Sequence, residues 1–285
     1  MENTLDRLND WVGRSETVDD VAYPTPVAAL TATLDHPRTP AATGSKLPPL
    51  WHWLYFLPMH RQSEIGPDGH AKRGGFLPPV PLPRRMWAGS QFEFRTPIRV
   101  GDRMSRTSTI DDVTAKEGRT GKLVFVKVRH ELRCNGAADP ALVEFHDIVY
   151  REAQRPDDVP PPPQKAAASA PWQREIVPDD VLLFRYSALT FNGHRIHYDR
   201  SYVTEVEGYP GLIVHGPLIA TLLVDLLRRE LPNAVLTQFD FKAASPLFDL
   251  HPFSVCGRRE AEGSVLLWAR NHLGELAMNA RALIA

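Results

Sequence analysis

Apolar and polar residues alternate along two stretches of the chain, and this alternation predicts antiparallel strands. Neighbouring side chains of a strand point to opposite faces, so a strand that buries one face shows a period of two. The runs with this period are Met104–Ile110, Lys122–Leu132 and Leu142–Tyr150 in the first stretch, and Pro252–Arg258, Ser264–Arg270 and Glu275–Leu283 in the second. Turn residues separate the runs, at Glu117-Gly118, Asn135-Gly136, Glu262-Gly263 and Leu273-Gly274.

A helix is predicted ahead of each set of strands. Pro217–Arg229 is apolar on nearly every face, and its proline lies in the first turn, where a missing N–H is harmless. An all-round apolar helix followed by antiparallel strands indicates a curved sheet wrapped around a buried helix. The corresponding segment of the first stretch, Leu50–Leu57, is shorter. Its dense aromatic residues also fit a buried helix, and they are Trp51, Trp53, Tyr55 and Phe56.

The two stretches resemble each other, which predicts a duplicated unit. The run Phe92–Arg95 is followed by a proline at position 97, and the similar run Phe239–Lys242 is followed by one at position 246. Between the stretches, Arg151–Pro171 is rich in proline and alanine, a composition that favours an extended linker. We therefore expect an α+β fold with one helix-plus-sheet unit in residues 1–150, a linker in 151–171 and a second unit in 172–285.

Composition and charge exclude several classes of protein. The 285 residues are 43% hydrophobic and 24% charged, and the formal net charge is −1, which suits a globular protein and gives no field for nucleic acid. Cys134 and Cys256 lie outside metal-ligand spacing, and the amino terminus lacks the apolar core of a signal peptide. The longest apolar stretch, Gly211–Leu227, is interrupted by polar residues. We expect a cytoplasmic protein without a nucleic-acid partner, a membrane span, a metal or a cofactor.

The run Phe191–Asp199 holds the densest set of groups able to move protons. Asn192 offers a hydrogen-bond donor and an acceptor, and His194 and His197 can carry a proton near neutral pH. Gly193 permits a close approach of the backbone to a ligand. A single histidine is more often structural, whereas this combination of polar groups favours a reactive site.

A second segment of interest is Gly208–Pro217, where the chain enters the apolar helix. The first N–H groups of a helix have no internal partner and lie at its positive end. Gly216 at that point allows an oxygen anion to approach those groups closely. The alternative is an ordinary first turn with His215 hydrogen-bonded locally, and this segment alone does not decide between the two.

Together the two segments resemble the hydratase-2 signature of the MaoC-like hotdog enoyl-thioester hydratases and dehydratases. That signature reads Asp-x-Asn-Pro-Ile/Leu-His and is followed further along by His-Gly; Asn192–His197 matches its first part and His215-Gly216 its second. Phe184–Asp199 and Gly74–Trp87 are most similar to the branch of the mesaconyl-CoA and itaconyl-CoA hydratases, relatives of the type 2 3-hydroxyacyl-thioester dehydratases. The resemblance begins near Leu50 and implies a double hotdog, in which each of two curved antiparallel sheets wraps a central helix.

The resemblance also implies roles for individual residues. His197 would be the general base that takes a proton from the water adding to the β-carbon, and the Gly216 N–H would bind the thioester oxygen as negative charge develops there. The aspartate of the signature is replaced by Asn192 and its asparagine by His194. An amide takes up no proton near neutral pH, so either His197 acts alone or another group handles the second proton. Asp199 and His194 are the nearby choices, although Asp199 could instead orient the imidazole or cap a helix.

Substrates of the resembling branch carry a second carboxylate, which needs a cation. Arginine binds a carboxylate with two parallel hydrogen bonds, and Arg195, Arg84 and Arg85 lie within or beside the matching segments. His215 is a further choice for a substrate contact. The proline-rich stretch before Arg84 predicts a rigid loop near the substrate tunnel, with a peptide ligand for a partner domain as the alternative.

The predicted activity is reversible hydration of a short branched or dicarboxylic enoyl-CoA, such as mesaconyl-CoA or itaconyl-CoA. One rival is a hotdog thioesterase, which attacks the thioester carbonyl and usually needs a carboxylate that the matched motif lacks. The other is a non-catalytic thioester-binding module, in which Asn192 marks lost chemistry. The expected partner is a coenzyme A thioester. Two hotdogs can pair within one chain, and hotdog proteins often assemble further, so a homodimer is also considered.

Overall fold

Ten antiparallel strands form one continuous sheet in the computed structural model, which describes residues 7–37, 42–118, 121–152, 162–261 and 263–285. The strands are β1 (Ser15–Val21), β2 (Arg84–Phe94), β3 (Arg103–Gly118), β4 (Gly121–Cys134), β5 (Leu142–Arg151), β6 (Trp172–Ile176), β7 (Leu236–Ala243), β8 (Phe253–Arg259), β9 (Ser264–Arg270) and β10 (Leu276–Ile284). Their order across the sheet is β1-β3-β4-β5-β2-β7-β10-β9-β8-β6.

This order shows the predicted duplication directly. Read inward from either edge, the sequence of strands is the same, with β1, β3, β4, β5 and β2 corresponding to β6, β8, β9, β10 and β7. The two halves meet where β2 pairs with β7, and Phe92 stands opposite Phe239 in that ladder. The two aromatic runs that suggested a repeat therefore lie side by side at the centre of the molecule. The halves form one sheet, rather than the two separate sheets that the resemblance implied.

The predicted strands are present, and β3 is longer than expected, so Glu117 and Gly118 lie within it instead of forming a turn. Glu262, of another predicted turn, lies outside the described residues. β3 extends past the predicted end at Ile110 to Gly118, and its pairing with β4 shifts register between Ile110 and Asp112. Asn135 and Gly136 form the turn after β4 with φ of 53° and 77°. Asparagine and glycine tolerate such positive φ angles, which explains why this dipeptide marks the turn.

The second half contains the predicted central helix. The chain has three helices of ten residues or more within the described ranges: α1 (Pro24–Thr33), α2 (Asp180–Leu189) and α3 (Gly216–Glu230). Every residue of α3 from Leu218 to Leu227 is buried, as the all-round apolar pattern predicts. The Asp179 side chain caps α2 by accepting a hydrogen bond of 2.8 Å from the N–H of Leu182.

The prediction of a short helix at Leu50–Leu57 in the first half is wrong. Residues Trp51–Leu54 form a single 3₁₀ turn, bounded by Leu50 and Phe56, whose φ angles are 69° and 55°. An L-residue in this left-handed region cannot continue a right-handed helix, so the segment turns sharply at both ends. Trp51, Tyr55 and Phe56 are nevertheless buried as expected, and Trp53 is half-buried against the same core.

One hydrophobic core extends across both halves. It joins residues of α1 and the Trp51 turn to α3 and to both central strands, so the two halves share their buried surface. Between the halves, β5 ends at Arg151 and β6 begins at Trp172, while residues 153–161 of the expected linker lie outside the described part of the chain. Gln164 accepts a backbone hydrogen bond of 2.7 Å from Leu276. The domain boundaries themselves stay a prediction.

Candidate active site

His197 lies at the centre of the candidate site and has one free ring nitrogen. It belongs to the single 3₁₀ turn Arg195–His197 and is 7% exposed. Its Nδ1 lies 2.7 Å from the carbonyl oxygen of Ile213. A carbonyl can only accept, so Nδ1 carries the proton and Nε2 presents its lone pair. This is the tautomer that a general base needs.

The protonation state of His197 supports the same role. Burial of the ring lowers its pKa to about 4, because the charged imidazolium loses its water, and the nearby His70 lowers it further. The hydrogen bond to Ile213 opposes this shift only in part. At neutral pH the ring is therefore neutral and ready to accept a proton.

His215 lies directly behind His197 and does not reach the open side of the site. The two rings stack with their centroids 3.7 Å apart, and His215 is completely buried. Its Nε2 is 2.7 Å from the Oγ of Ser187, which fixes the ring. Burial lowers the pKa of His215 well below its usual value. This position argues against the predicted substrate contact and makes His215 a neutral support for the His197 ring.

Gly216 is the first residue of α3, directly after this histidine. A Cβ placed at Gly216 would meet no protein atom within 4 Å, so the space before the helix is open. The N–H groups of the first turn have no partner within the helix, and Pro217 carries none. An oxygen with developing negative charge can occupy this space, where the helix dipole favours it.

Asn192 and His194 have positions that limit their chemistry. The Oδ1 of Asn192 accepts a hydrogen bond of 3.0 Å from the N–H of His194, so the amide closes a local turn. Its NH₂ group and the second lone pair of Oδ1 can still bind a ligand. The His194 ring lies edge-on to His197 with centroids 5.5 Å apart, and burial together with His70 lowers its pKa to about 2. His194 is therefore a neutral neighbour of His197 at physiological pH.

Asp199 and Arg195 hold the local structure, which argues against their predicted catalytic and substrate-binding roles. Asp199 Oδ1 accepts the N–H of Tyr202 at 3.0 Å, and so caps the helical segment that contains this residue. Its other oxygen accepts two bonds from Arg195, at 3.0 and 2.8 Å. The remaining Nη1 of Arg195 donates to the carbonyl of Pro67 at 3.0 Å. Both side chains therefore have local hydrogen-bond partners that account for their positions.

A loop of the first half, which no sequence pattern marked as functional, also lies at the site. Residues 66–70 read Gly-Pro-Asp-Gly-His, and this loop packs on the signature segment. The backbone N–H of Arg195 donates to the carbonyl of Asp68 at 2.9 Å. A Cβ on Gly69 would lie 1.8 Å from the carbonyl oxygen of Gly193, so the two glycine backbones touch. Gly193 thus brings the signature segment into backbone contact with the first half of the chain.

Asp68 and His70 form a hydrogen-bonded pair beside the signature histidines. The Nδ1 of His70 lies 3.0 Å from Asp68 Oδ2, and its ring stacks on His194 at 3.9 Å between centroids. Although burial alone would raise it, the hydrogen bonds from His70 lower the pKa of Asp68, so this carboxylate is ionised. Among the described residues, Asp68, His70 and His194 form the one group whose donor atoms are close enough for a metal ion, all within 4.8 Å. The hydrogen bond between Asp68 Oδ2 and His70 Nδ1 already occupies one possible metal-ligand atom of each of these two residues.

The arginines of the proline-rich segment lie at the start of β2, close to the same site. Arg84 donates to the hydroxyl of Tyr209, in the loop before α3, and its guanidinium lies 5.8 Å from the centre of that ring. Arg85 hydrogen-bonds to Tyr150, and its charge helps to lower the pKa of His194. Arg85 is thus the arginine whose charge acts on His194. A substrate contact of Arg84, Arg85 or the proline-rich loop stays a prediction.

Comparisons with known proteins agree with this fold and site. The family described as hydroxyacyl-thioester dehydratase type 2 matches residues 50–249. Mesaconyl-C(4)-CoA hydratase from Chloroflexus aurantiacus is 46% identical over 253 residues, which cover 87% of this chain and 88% of that protein. Among solved structures, HtdX from Mycobacterium tuberculosis has a TM-score of 0.66 at 19% identity, covering 95% of this chain and 100% of HtdX. A second protein from that organism, described as a double hotdog, has a TM-score of 0.60 at 13% identity and covers 99% and 98%.

Fold and site together define a double-hotdog hydro-lyase. The chain belongs to the hydroxyacyl-thioester dehydratase type 2 family. It is therefore an enzyme of the hydratase and dehydratase class, as the signature indicated, and the predicted double hotdog is confirmed. None of the helices in the described part of the chain is long and apolar enough to cross a membrane.

Proposed function

We propose that this enzyme reversibly hydrates the double bond of a short branched, dicarboxylic enoyl-CoA, with mesaconyl-CoA as the first substrate to test. The observation that carries the proposal is the geometry of His197, whose proton is fixed on Nδ1 by Ile213 while its free Nε2 stays neutral. The 46% identity to a mesaconyl-C(4)-CoA hydratase supports the choice of acyl group. Itaconyl-CoA is the second substrate to test, because it carries the same carboxylate with a displaced double bond.

In the hydration step, Nε2 of His197 removes a proton from water while the water oxygen bonds to the β-carbon. The π electrons move toward the thioester carbonyl, and negative charge grows on its oxygen. The N–H of Gly216 at the start of α3 stabilises that charge, a contribution worth about 3 kcal/mol in other oxyanion sites. A proton then reaches the α-carbon and completes the addition. Dehydration follows the same steps in reverse.

The second carboxylate of the substrate suits Arg85. This side chain acts electrostatically on His194 and lies on the strand that begins at Arg84, beside the site. A charged hydrogen bond contributes about 1.5–3 kcal/mol, which corresponds to roughly 10- to 100-fold in binding. We expect Arg85→Gln to lower the ratio of kcat/KM for mesaconyl-CoA over crotonyl-CoA by this factor. The matched control is Arg61→Gln, an exposed arginine of the first half.

A panel of unsaturated CoA thioesters tests the proposal. Loss of enoyl-thioester absorbance, with a product heavier by one water in mass detection and no thiol release, is the expected result for mesaconyl-CoA. Thiol release without hydration would instead indicate a thioesterase. His197→Ala should remove most of the turnover while the fold is retained, and His251→Ala, an exposed histidine, is the control. A His197→Ala enzyme as fast as the unchanged enzyme would refute the assignment of the base.

A further inference from the structure

Ser187 is a buried residue of α2 that contacts both segments of the signature. The residue is 6% exposed, and its Oγ lies 2.7 Å from Nε2 of His215 in the second segment. Its backbone carbonyl accepts a hydrogen bond of 2.8 Å from the N–H of Asn192 in the first segment. Ser187 therefore joins the two stretches of chain that carry the candidate catalytic groups, although it lies outside both.

The contact with Ser187 is the one hydrogen bond that the His215 ring makes within the described part of the chain. Its other ring nitrogen, Nδ1, is buried and has no partner there. The residue is completely shielded from solvent, so water has no access to replace the Ser187 hydroxyl. A buried polar ring that loses its hydrogen bond must move or leave a nitrogen unsatisfied, which is unfavourable. The orientation of the His215 ring consequently depends on Ser187.

The orientation of His215 is passed on to His197 by direct contact. The two rings are nearly parallel, at an angle of 19°, with their centroids 3.7 Å apart. Tyr186, the neighbour of Ser187 on α2, packs edge-on against His215 with centroids 5.1 Å apart. The His197 ring is held by one hydrogen bond, from Nδ1 to the carbonyl of Ile213, about which the ring can still tilt. The stacked His215 ring restricts that tilt, so the direction of the free Nε2 of His197 depends on α2.

The end of α2 fixes Asn192 against the same serine. Phe191 has a φ of 50°, in the left-handed region that a residue with a Cβ rarely adopts. This reversal lets the N–H of Phe191 bond to the carbonyl of Ala188 at 3.3 Å, and the N–H of Asn192 to that of Ser187. Such a helix end usually has glycine in the left-handed position. Backbone strain of this kind is typical of functional sites, and here it sets where the signature segment begins.

We propose that Ser187 is a positioning residue for the hydration proposed above, on which this role rests. Its hydroxyl sets the plane of the His197 ring through His215, and its carbonyl sets the start of the segment that carries Asn192. Ser187 itself touches no reacting atom. Loss of its hydroxyl therefore misaligns the base without removing a contact to the substrate, and the effect should fall on kcat rather than on KM.

The first test is the removal of the hydroxyl. We expect Ser187→Ala to lower kcat for mesaconyl-CoA about 10- to 100-fold with KM changed by less than about threefold, because a misplacement of about 1 Å in an active site can cost roughly 10²-fold. Ser187→Thr keeps the hydroxyl and should retain most of the rate. The matched control is Ser264→Ala. Ser264 is 4% exposed and accepts a hydrogen bond of 3.0 Å from Arg281, so the control also loses a buried hydroxyl but should keep its kcat.

A double variant tests whether Ser187 acts through His215. His215→Phe keeps a flat ring for stacking but has no ring nitrogen to bond to Ser187. This variant should lose about as much kcat as Ser187→Ala. Adding Ser187→Ala to it should cause little further loss, because the two changes remove the same interaction and their effects are not additive.

Crystal structures of the unchanged enzyme and of Ser187→Ala test the proposal without turnover. In the variant we expect the His215 ring to leave its position and the angle between the His215 and His197 rings to depart from 19°. In Ser264→Ala both rings should stay in place.

Three results would overturn the proposal. One is a Ser187→Ala enzyme with normal kcat. Another is a fall in kcat of the same size when Ser187→Ala is added to His215→Phe, which would show that Ser187 does not act through His215. The third is an unchanged stack of His215 on His197 in the Ser187→Ala structure. If Ser187→Ala does not fold, a His215→Phe enzyme with normal kcat refutes the role. An unchanged enzyme that hydrates none of the thioesters would instead end the proposed function, while the crystal structures would still report on Ser187.

Discussion

Replacing Gly69 with alanine tests whether contact between the halves holds the site. Gly69 has a φ of +89°, and a Cβ there would lie 1.8 Å from the carbonyl oxygen of Gly193. Because real Cβ atoms essentially never approach closer than 3.0 Å, the two backbones must separate by about 1.2 Å or more. That displacement moves His70 away from His194, and a shift of about 1 Å in an active site can cost roughly 10²-fold in rate.

Gly44→Ala is the matched control for this change. Its φ is +86°, nearly that of Gly69, but a Cβ there meets no atom within 4 Å. Both variants should lose about 1–2 kcal/mol of unfolding free energy from the left-handed backbone. Only Gly69→Ala should lose further stability and also about 10²-fold in kcat/KM. Denaturant unfolding and the enoyl-CoA absorbance assay measure the two effects. Equal activity of the two variants would refute the view that this contact positions the catalytic groups.

Three further predictions concern the signature segment. Burial lowers the pKa of His197 to about 4, from a value near 6.5 in the unfolded chain. The folded state therefore binds fewer protons than the unfolded state between these pH values. The free energy of unfolding should fall as the pH drops from 6.5 to 4. This residue alone contributes about 3 kcal/mol to that loss. Denaturant unfolding at each pH measures it, and His197→Gln should make the unfolding free energy depend less on pH. Gly216→Ala should keep its unfolding temperature, because a Cβ at this position meets no protein atom within 4 Å. It should lose at least tenfold in kcat, because the methyl group occupies the space for the thioester oxygen. A fully active variant would argue against the oxyanion role. Asp199→Asn keeps an acceptor for the Tyr202 N–H, so kcat/KM should stay within a few-fold, and a large loss would restore Asp199 as a catalytic group.

Much of the fold could be predicted from local pattern. The alternating runs predicted the six strands β3, β4, β5, β8, β9 and β10, and the all-round apolar run predicted α3, because burial of one face or of all faces leaves a direct mark on the sequence. The edge strands β1 and β6 and the helix α1 have no such mark. β1 has five exposed residues of seven, so its place in the sheet depends on backbone pairing with β3. The Trp51 segment misled the prediction, since its aromatic spacing shows burial but not the backbone reversals at Leu50 and Phe56.

The candidate site was predicted in part for the same reason. His197 and Gly216 belong to the two segments of the signature, and the residue types indicate their chemistry. Arg195 lies within the first segment and Asp199 two residues after it, but their hydrogen bonds to Tyr202 and to each other became visible only in the folded chain. A residue type shows which bonds a side chain can make, whereas its neighbours in space decide which bonds it does make.

The sequence by itself determined that this chain is a duplicated antiparallel α+β protein with a hydratase-like motif and one substituted carboxylate. The period of the strands, the apolar helix and the identity of Asn192 are all local properties of the chain. Only the tertiary structure brought the loop with Asp68 and His70 from the first half onto His194 in the second. No local pattern encodes that contact, because it depends on the pairing of β2 with β7 and on two glycine backbones that touch.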